Sequence, residues 1–529
     1  MENLQTRSES ESLHFQDRLV AAMMDPGFYP KPAPEIIHKE THISHVFLAG
    51  DLVYKIKKAV RFSFLDYSTL QRRLRFLNEE LRLNRRLAPS VYLGVMPITL
   101  DGSEWHLGGD GSPAEYALVM RRLPERRMLP FLLETGQVTR AMIVELAEVL
   151  ARFHMQAERV RLPDASGYPK ALAHRWNNNI HELEPWLQTS SDVETVEALK
   201  DFGARFIDRH HDLLIQRAKQ GSIRDVHGDL HCEHVCFAPE GIQIFDCIEF
   251  DAEMRQCDLA SEMAFLAMDL AVRGGEFAIT PLFTRYLELL DDPEMPVLLP
   301  FYQSYRAVVR AKVHALRSGR MCPQAARYLC FAGRFAWSLM KPFVLMISGL
   351  TGSGKSSLAR ELGARLGMPV INSDAVRKAI AGSPGRQIVP LDQGIYSLKM
   401  TEKTYAKMIQ EAEKRILEGE GAILDATFAQ RAHREKIVRL AEKHRVPLVV
   451  IHCLASDETT KRRLAEREAE GKDVSDGRWE IYLTQKTAYQ PINEFPLTNC
   501  LELNTEAPLD ELARTSEKFL RTQVGQARK

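Results

Sequence analysis

Gly349-Leu350-Thr351-Gly352-Ser353-Gly354-Lys355-Ser356, followed by Ser357, is the stretch whose reading decides the fold of the C-terminal third of this 529-residue chain. It fits G-x-x-x-x-G-K-[ST]. Before it, Phe343–Ser348 is an apolar run of strand length. After it, Leu358, Leu362 and Leu366 recur at helical spacing. A strand, a glycine-rich turn and a helix in that order turn a ring of backbone N–H groups toward one anion, and the positive end of the helix faces the same point. In such a turn Lys355 reaches the β- and γ-phosphates of a nucleotide and the Ser356 hydroxyl ligates Mg²⁺, so the expected cofactors are ATP and Mg²⁺.

Working outward, Ala422–Leu424 and Pro447–Cys453 are further apolar strands separated by helical segments, a pattern that predicts a parallel α/β sheet beginning near residues 337–342. Val370-Ile371-Asn372-Ser373-Asp374-Ala375-Val376-Arg377 reads as a strand with a polar end. In parallel sheets such ends line the site. Asp374 is then expected to accept a proton from an acceptor hydroxyl and Arg377 to hold an acceptor anion; the competing role for Ser373 or Asp374 is a helix N-cap. Gly421-Ala422-Ile423-Leu424-Asp425 is an apolar strand closed by an acid, which places Asp425 to hold Mg²⁺ through water. Arg463 and Arg467 share one helix face and are expected to clamp phosphates; a solvated face is the plainer alternative.

These motifs, Gly349–Ser356, Asp374-x-x-Arg377, Asp425-Ala426-Thr427-Phe428 with Arg434, and Arg463-x-x-x-Arg467, together resemble the P-loop kinases that include polynucleotide 5′-kinases, zeta-toxin-like kinases and gluconate-kinase-like enzymes. The resemblance spans about 340–490. It implies Asp374 as general base, Arg377 and Arg434 on the substrate side, and Arg463 and Arg467 as lid arginines beside the nucleotide.

In the N-terminal half, two strands, His45–Leu48 and Leu52–Ile56, flank Ala49-Gly50-Asp51, a hairpin signal. Lys55 and Lys57 fall on one face of the second strand. A helix expected from about Thr69 to Arg86 carries Glu79 and Glu80, either able to pair with a lysine. His227-Gly228-Asp229-Leu230-His231 lies in a loop–strand insert at 224–250; Asp246 ends an apolar strand 17 residues after Asp229, and Asp258 follows 12 residues later. Phosphoryl transfer needs such a pair, a loop Asp to orient or deprotonate an acceptor hydroxyl and a strand-end Asp to bind the metal on the nucleotide phosphates.

Over roughly 40–320 this constellation resembles the aminoglycoside phosphotransferase and protein-kinase-like superfamily. The resemblance implies Asp229 as catalytic base, Asp246 as metal ligand, Asp258 as a structural acid, Lys55 (or Lys57) with Glu80 as the phosphate-anchoring pair, and Met120-Arg121-Arg122 near the nucleotide hinge. The superfamily's metal-binding Asn, five residues after the base, is His234 here. Imidazole suits Zn²⁺ and other transition ions better than Mg²⁺. The two halves in succession resemble predicted two-domain bacterial phosphotransferases.

The expected fold is therefore multidomain: an extension over 1–40, mobile or loosely docked; an α+β, two-lobed kinase-like domain over 41–338; and an α/β P-loop domain with a parallel sheet over 340–529. Lys+Arg and Asp+Glu number 70 each, which removes any global electrostatic argument for nucleic acid or membrane. The N-terminus has no secretory pattern and no apolar run reaches 18 residues. Eight cysteines without a regular framework suit a reduced cytoplasm. The density of His227, His231, Cys232, His234, Cys236, Cys247 and Cys257 offers structural zinc as a rival reading, and His154 reads as a packed histidine.

The expected function is bifunctional, ATP-dependent phosphoryl transfer to hydroxyl acceptors, small molecules or nucleic-acid ends, with no stable protein partner inferable. The alternatives are one P-loop kinase regulated by an N-terminal pseudokinase, and an ATP-hydrolysing binding switch.

Overall fold

The computed structural model describes residues 9–31, 35–62, 65–102, 104–382, 397–470, 478–495 and 499–526. It divides into two compact units, one of 1–179 with 206–310 and one of 180–205 with 311–529.

In the first unit the chain forms β1 (Ile36–Glu40), β2 (Ser44–Ala49) and β3 (Leu52–Lys57), a ribbon of β4 (Arg61–Phe62) and β5 (Leu65–Asp66), the helix Leu70–Asn84, and then β6 (Tyr92–Asp101), β7 (Glu104–Leu107) and β8 (Pro113–Arg121). Six strands make an antiparallel sheet in the order β1-β2-β3-β8-β6-β7. Period-two alternation sorts β8 onto two faces. Ala117 and Val119 join Phe47, Tyr54 and Ile56 on one face, against Leu19 and Met23 of the helix Glu9–Met23. Leu118, Tyr116 and Met120 join Tyr92 on the other, against Leu77 of the helix Leu70–Asn84.

The described residues 9–31 and 35–40 thus depart from the loosely docked start expected of 1–40. Leu19 and Met23 are fully buried, Gln16 donates to the Lys57 carbonyl and to Glu115, and β1 pairs along β2. The apolar side chains of this segment are too few and too scattered to signal a helix until a sheet face is there to receive them.

The rest of the unit is helical around two short ribbons, β9 (Ile223–Asp225) with β12 (Gln256–Asp258), and β10 (Val235–Ala238) with β11 (Gly241–Ile244). The helix Leu259–Val272 is buried on nearly every side.

The second unit holds a five-stranded parallel sheet, β13 (Val344–Ser348), β14 (Val370–Asn372), β15 (Ala422–Asp425), β16 (Leu448–Leu454) and β17 (Cys500–Asn504), in the order β14-β15-β13-β16-β17. Strands covered on both faces must be apolar throughout. Leu345, Ile347, Ile423, Val449 and Ile451 pack on Leu358, Leu362, Leu366, Leu512 and Leu520, while Val344, Met346, Leu424 and Val450 pack on Tyr405, Met408, Ile437 and Leu440.

His154, in the helix Arg140–Gln156, is fully buried with Nδ1 2.7 Å from the Tyr286 hydroxyl. Burial first, then the nearby Arg224, pushes its pKa down to about 3. An unfolded histidine titrates near ~6.5. The folded value is the lower one, so His154 contributes stability above that pH and loses it as pH falls toward 3. His154→Asn is expected to flatten the dependence of unfolding free energy on pH below 6.5 by up to about 1.4 kcal/mol per pH unit, measured as urea midpoints across a pH series; an unchanged slope would show that the histidine does not stay neutral.

Candidate functional sites

In the first unit, β3 sends Lys55 and Lys57 to the same side, and the helix Leu70–Asn84 presents Glu80 between them. Glu80, fully buried, accepts from Lys55 Nζ at 2.7 Å and from Lys57 Nζ at 2.8 Å. The two lysines part company at their other contacts. Lys55 Nζ lies 3.0 Å from Asp246 Oδ1. Lys57 Nζ lies 2.5 Å from Glu249 Oε1, which also accepts from the Tyr67 hydroxyl at 2.7 Å. Of the two lysines the sequence offered, Lys55 therefore reaches the strand-end carboxylate, and Lys57 closes an interior network. Glu79 pairs instead with Arg82.

Asp246 sits at φ +63°, a conformation that costs a non-glycine residue on the order of 1 kcal/mol. Its N–H donates to the Tyr92 hydroxyl at 3.1 Å, which helps to hold the turn. Although burial opposes ionisation, Lys55 and then His234 hold the Asp246 carboxyl well below its ordinary range.

The loop at 227–234 is pinned from beneath. Gly228 has φ +83°, and a Cβ there would lie 3.0 Å from the Arg255 Cα. Glu262 accepts the N–H groups of His227 at 2.8 Å and Gly228 at 3.1 Å, while Arg306 donates to the Gly228 carbonyl at 3.1 Å. Burial pushes the Glu262 carboxyl up to about 7. Asp229 Oδ2 lies 3.5 Å from His231 Nε2 and 3.7 Å from His234 Nδ1. Burial again opposes ionisation, but His231, His234 and Arg310 hold the Asp229 carboxyl far below its ordinary value. His234 Nδ1 donates to the Asp229 carbonyl at 2.9 Å, and its Nε2 lies 3.6 Å from Asp246 Oδ2. The loop base, the strand-end acid and His234 thus converge, with Lys55 and Glu80 behind them.

Asp258 stands apart. It takes both arms of Arg217, at 2.7 and 2.9 Å, and accepts from the Ala260 N–H, so it anchors the start of the helix Leu259–Val272. The zinc reading loses its cysteines. All eight are free thiols, and among the described residues the group with metal-ligand spacing is Asp229, His231 and His234.

In the second unit, β13 runs straight into the Gly349–Ser356 turn, and the helix Lys355–Leu366 follows. A Cβ on Gly349 would lie 2.5 Å from Ser353 Oγ and 2.7 Å from the Cys453 carbonyl oxygen, so that position needs glycine. Leu350 and Gly352 complete the turn, and Ser356 and Ser357 stand in the helix's first turn. The Thr351 N–H donates to Gln485 at 3.0 Å. Beside this turn, β15 pairs in register with β13 and ends at Asp425. Asp425 is buried: Oδ2 accepts from Asn372 Nδ2 at 2.6 Å, and Oδ1 has no hydrogen-bond partner among the described residues. A buried carboxylate oxygen without a donor suits a hydrated cation such as Mg²⁺.

Asn372 also caps the helix Ser373–Ala381, accepting from the Asp374 and Ala375 N–H groups. The capping role considered for Ser373 or Asp374 therefore belongs to Asn372. Asp374 instead accepts from Arg377 Nη1 at 2.7 Å. Arg463 donates to Thr505 Oγ1 and carbonyl at 3.1 and 2.6 Å, and Thr505 donates to the Ser353 carbonyl, tying that arginine to the turn. The Arg467 side chain lies outside the described residues.

Arg434 is not brought to the site. It is fully buried, donating to the carbonyls of Phe428, Gln490 and Pro491 and pairing with Glu494, so its guanidinium fastens the 490–494 segment. No local pattern in the sequence marks Glu249, Thr505 or Gln485 for these contacts, or Asn372 for Asp425, because those partners are distant in the chain.

Residues 49–295 match the model of the Phosphotransferase enzyme family, and residues 344–492 match that of an AAA domain. Uncharacterized proteins of Mycobacterium tuberculosis and Mycobacterium bovis are 32% identical over 452 residues, covering 84% of this chain and 88% of each relative. A gluconokinase structure from Sinorhizobium meliloti 1021 (18% identity, 35% of this chain and 95% of that one, TM-score 0.26) and one of the Mycobacterium tuberculosis APS kinase with AMPPNP and APS (19%, 34% and 98%, 0.26) are also similar, at scores too low to carry functional weight. With a pinned kinase-type loop in one unit, a P-loop in the other and that extent of shared sequence, the chain belongs to the same family as the mycobacterial proteins, and its two family domains make it an enzyme of the phosphotransferase class with a kinase-like half and a P-loop kinase-like half.

Proposed function

We propose that the chain is a bifunctional ATP-dependent kinase, each half carrying the γ-phosphate of ATP to a hydroxyl of a small molecule or a nucleic-acid end. The observation that supports this reading is that in each half two aspartates are linked through one residue, Asp229 and Asp246 through His234, and Asp374 and Asp425 through Asn372. In the kinase-like half, Lys55, positioned by Glu80, would hold nucleotide phosphates, Asp246 the cation, and Asp229 would orient the acceptor and take its proton. In the P-loop half, the N–H groups of 352–356 and Lys355 would hold the phosphates, Ser356 and Asp425 the cation, and Arg463 and Arg467 the charge that gathers on the transferring group. Asp374 would take the acceptor proton, with Arg377 beside it for an acceptor anion. A bound cation supplies neutralisation of phosphate charge; the residues supply position and a proton acceptor. The domain limits proposed are 41–338 and 340–529, with the helix Glu9–Met23 and β1 of the preceding 1–40 packed into the first domain's sheet, and the chemistry suits the cytoplasm, where ATP is abundant.

His234 supports a second reading. A half that handles Mg²⁺ poorly could serve as a nucleotide-sensing pseudokinase over a single active P-loop kinase.

Transfer of γ-labelled phosphate to the small-molecule fraction of a bacterial extract separates the readings. Two labelled products are expected, one reduced about 10²-fold or more by Asp229→Asn and the other by Asp374→Asn. One product, lost only with Asp374→Asn, would select the pseudokinase reading, and label found only as free phosphate in every protein would leave the hydrolytic switch. Separately, Asp425→Asn is expected to raise the Mg²⁺ concentration for half-maximal transfer by the P-loop half about ten-fold or more, because acids that hold a metal through water commonly contribute that much affinity; an unchanged Mg²⁺ titration would remove Asp425 from the metal site.

A further inference from the structure

His234 and Asp246 face each other in a way that no hydrogen bond explains. The Nδ1–H of His234 is committed to the Asp229 carbonyl at 2.9 Å, which leaves Nε2 as a bare lone pair when the ring is neutral. That nitrogen lies 3.6 Å from Asp246 Oδ2, beyond hydrogen-bond range. Two electron-rich atoms at that separation leave room for a cation to bridge them. Donors in adjacent positions around one ion with bonds of ~2.0–2.2 Å lie about 3–3.6 Å apart, and this pair is already at that separation. A backbone carbonyl accepting the far N–H is also the usual device for fixing a metal-binding imidazole.

Asp246 is free for this role on one side only. Its Oδ1 is occupied by Lys55 at 3.0 Å, so Oδ2 is the ligand oxygen. The neighbouring combination of Asp229 with His231 is the poorer site. His231 Nε2 is faced by the Arg310 guanidinium at 3.4 Å, a positive charge where the ion would have to sit, and His231 Nδ1 meets the Glu233 N–H at 3.4 Å. Asp229 is thereby left to the acceptor rather than to the metal.

We propose that the kinase-like half holds its cation through His234 Nε2 and Asp246 Oδ2, and that this nitrogen–oxygen pair selects first-row transition dications over Mg²⁺, a preference smallest for Mn²⁺, the hardest of them, and larger for the later ions. The proposal rests on the reading of this half as a nucleotide-using domain. It is a departure from Mg²⁺ rather than an extension of it. Mg²⁺ takes oxygen ligands in a tight octahedron, whereas imidazole nitrogen favours the later divalent ions. The remaining positions are open to water and phosphate oxygens.

The test uses the full chain carrying Lys355→Ala, which weakens nucleotide binding in the P-loop half. Binding of a non-hydrolysable ATP analogue is measured by calorimetry with Mn²⁺ or Mg²⁺, and the Mn²⁺ complex is read by pulsed electron paramagnetic resonance for imidazole nitrogen. The expected result is nucleotide binding at least about ten-fold tighter with Mn²⁺, with nitrogen coupling present; His234→Asn, which substitutes an amide oxygen, should abolish the coupling and most of the preference. The resonance experiment needs no variant at His234, so it stands even where that substitution impairs folding. Nucleotide binding without nitrogen coupling, or without preference between the ions, overturns the metal assignment alone. No nucleotide binding with either ion overturns both the assignment and the reading beneath it.

Discussion

Glu80 is a carboxylate taken entirely out of water, and the meeting of β3, the helix Leu70–Asn84 and the turn at 246–249 is organised around what that requires. A buried charge is tolerable only when opposite charges and hydrogen bonds replace its hydration, and Glu80 has both in Lys55 and Lys57. Each lysine needs a second partner, and these come from the same short turn, Asp246 for Lys55 and Glu249 for Lys57. A strand, a helix and a distant loop therefore meet at one ion network. Its members are separated by up to 192 residues in the chain, so the network fixes tertiary arrangement rather than local structure. Of the five carboxylate and ammonium groups, Asp246 is the one that remains half exposed.

The P-loop unit meets the same electrostatic problem with backbone instead of side chains. Its central strand is buried on both faces, so it can carry nothing polar until it ends. At the end the chain turns through glycines and offers N–H groups and a helix terminus to an anion. The next strand over, β15, ends in Asp425, and Asn372 at the end of β14 both holds that acid and caps the helix bearing Asp374. Parallel strands in register bring three polar ends into one row, which is why the site lies where the apolar runs stop.

Much of this was legible in the sequence. Alternation along β3 placed Lys55 and Lys57 together, the Gly50–Asp51 turn marked its hairpin, and Leu358, Leu362 and Leu366 marked the helix after the P-loop. What stayed hidden depended on contacts between remote segments. The helix Glu9–Met23 has buried faces only because the sheet supplies one. Arg434 reads as a site arginine beside Asp425, yet its guanidinium is spent on carbonyls some 56 residues away, which a local motif cannot reveal. The choice between the two lysines turned on which of Asp246 and Glu249 each would meet, and that depends on a turn whose φ is positive at a residue other than glycine.

By itself the sequence determined the parallel sheet with its phosphate-binding turn, the two-lobed kinase-like half, and the residue types at both sites, because strand and helix periods and glycine turns are local and short-ranged in origin. Only the tertiary structure decided which side chains face each other: Lys55 rather than Lys57 on Asp246, Asn372 rather than Asp374 as the cap, Arg434 inside the fold, and His234 Nε2 opposite a carboxylate oxygen. The physical reason is that hydrogen bonds and ion pairs are settled within fractions of an ångström, a scale set by packing and not by the order of residues along the chain.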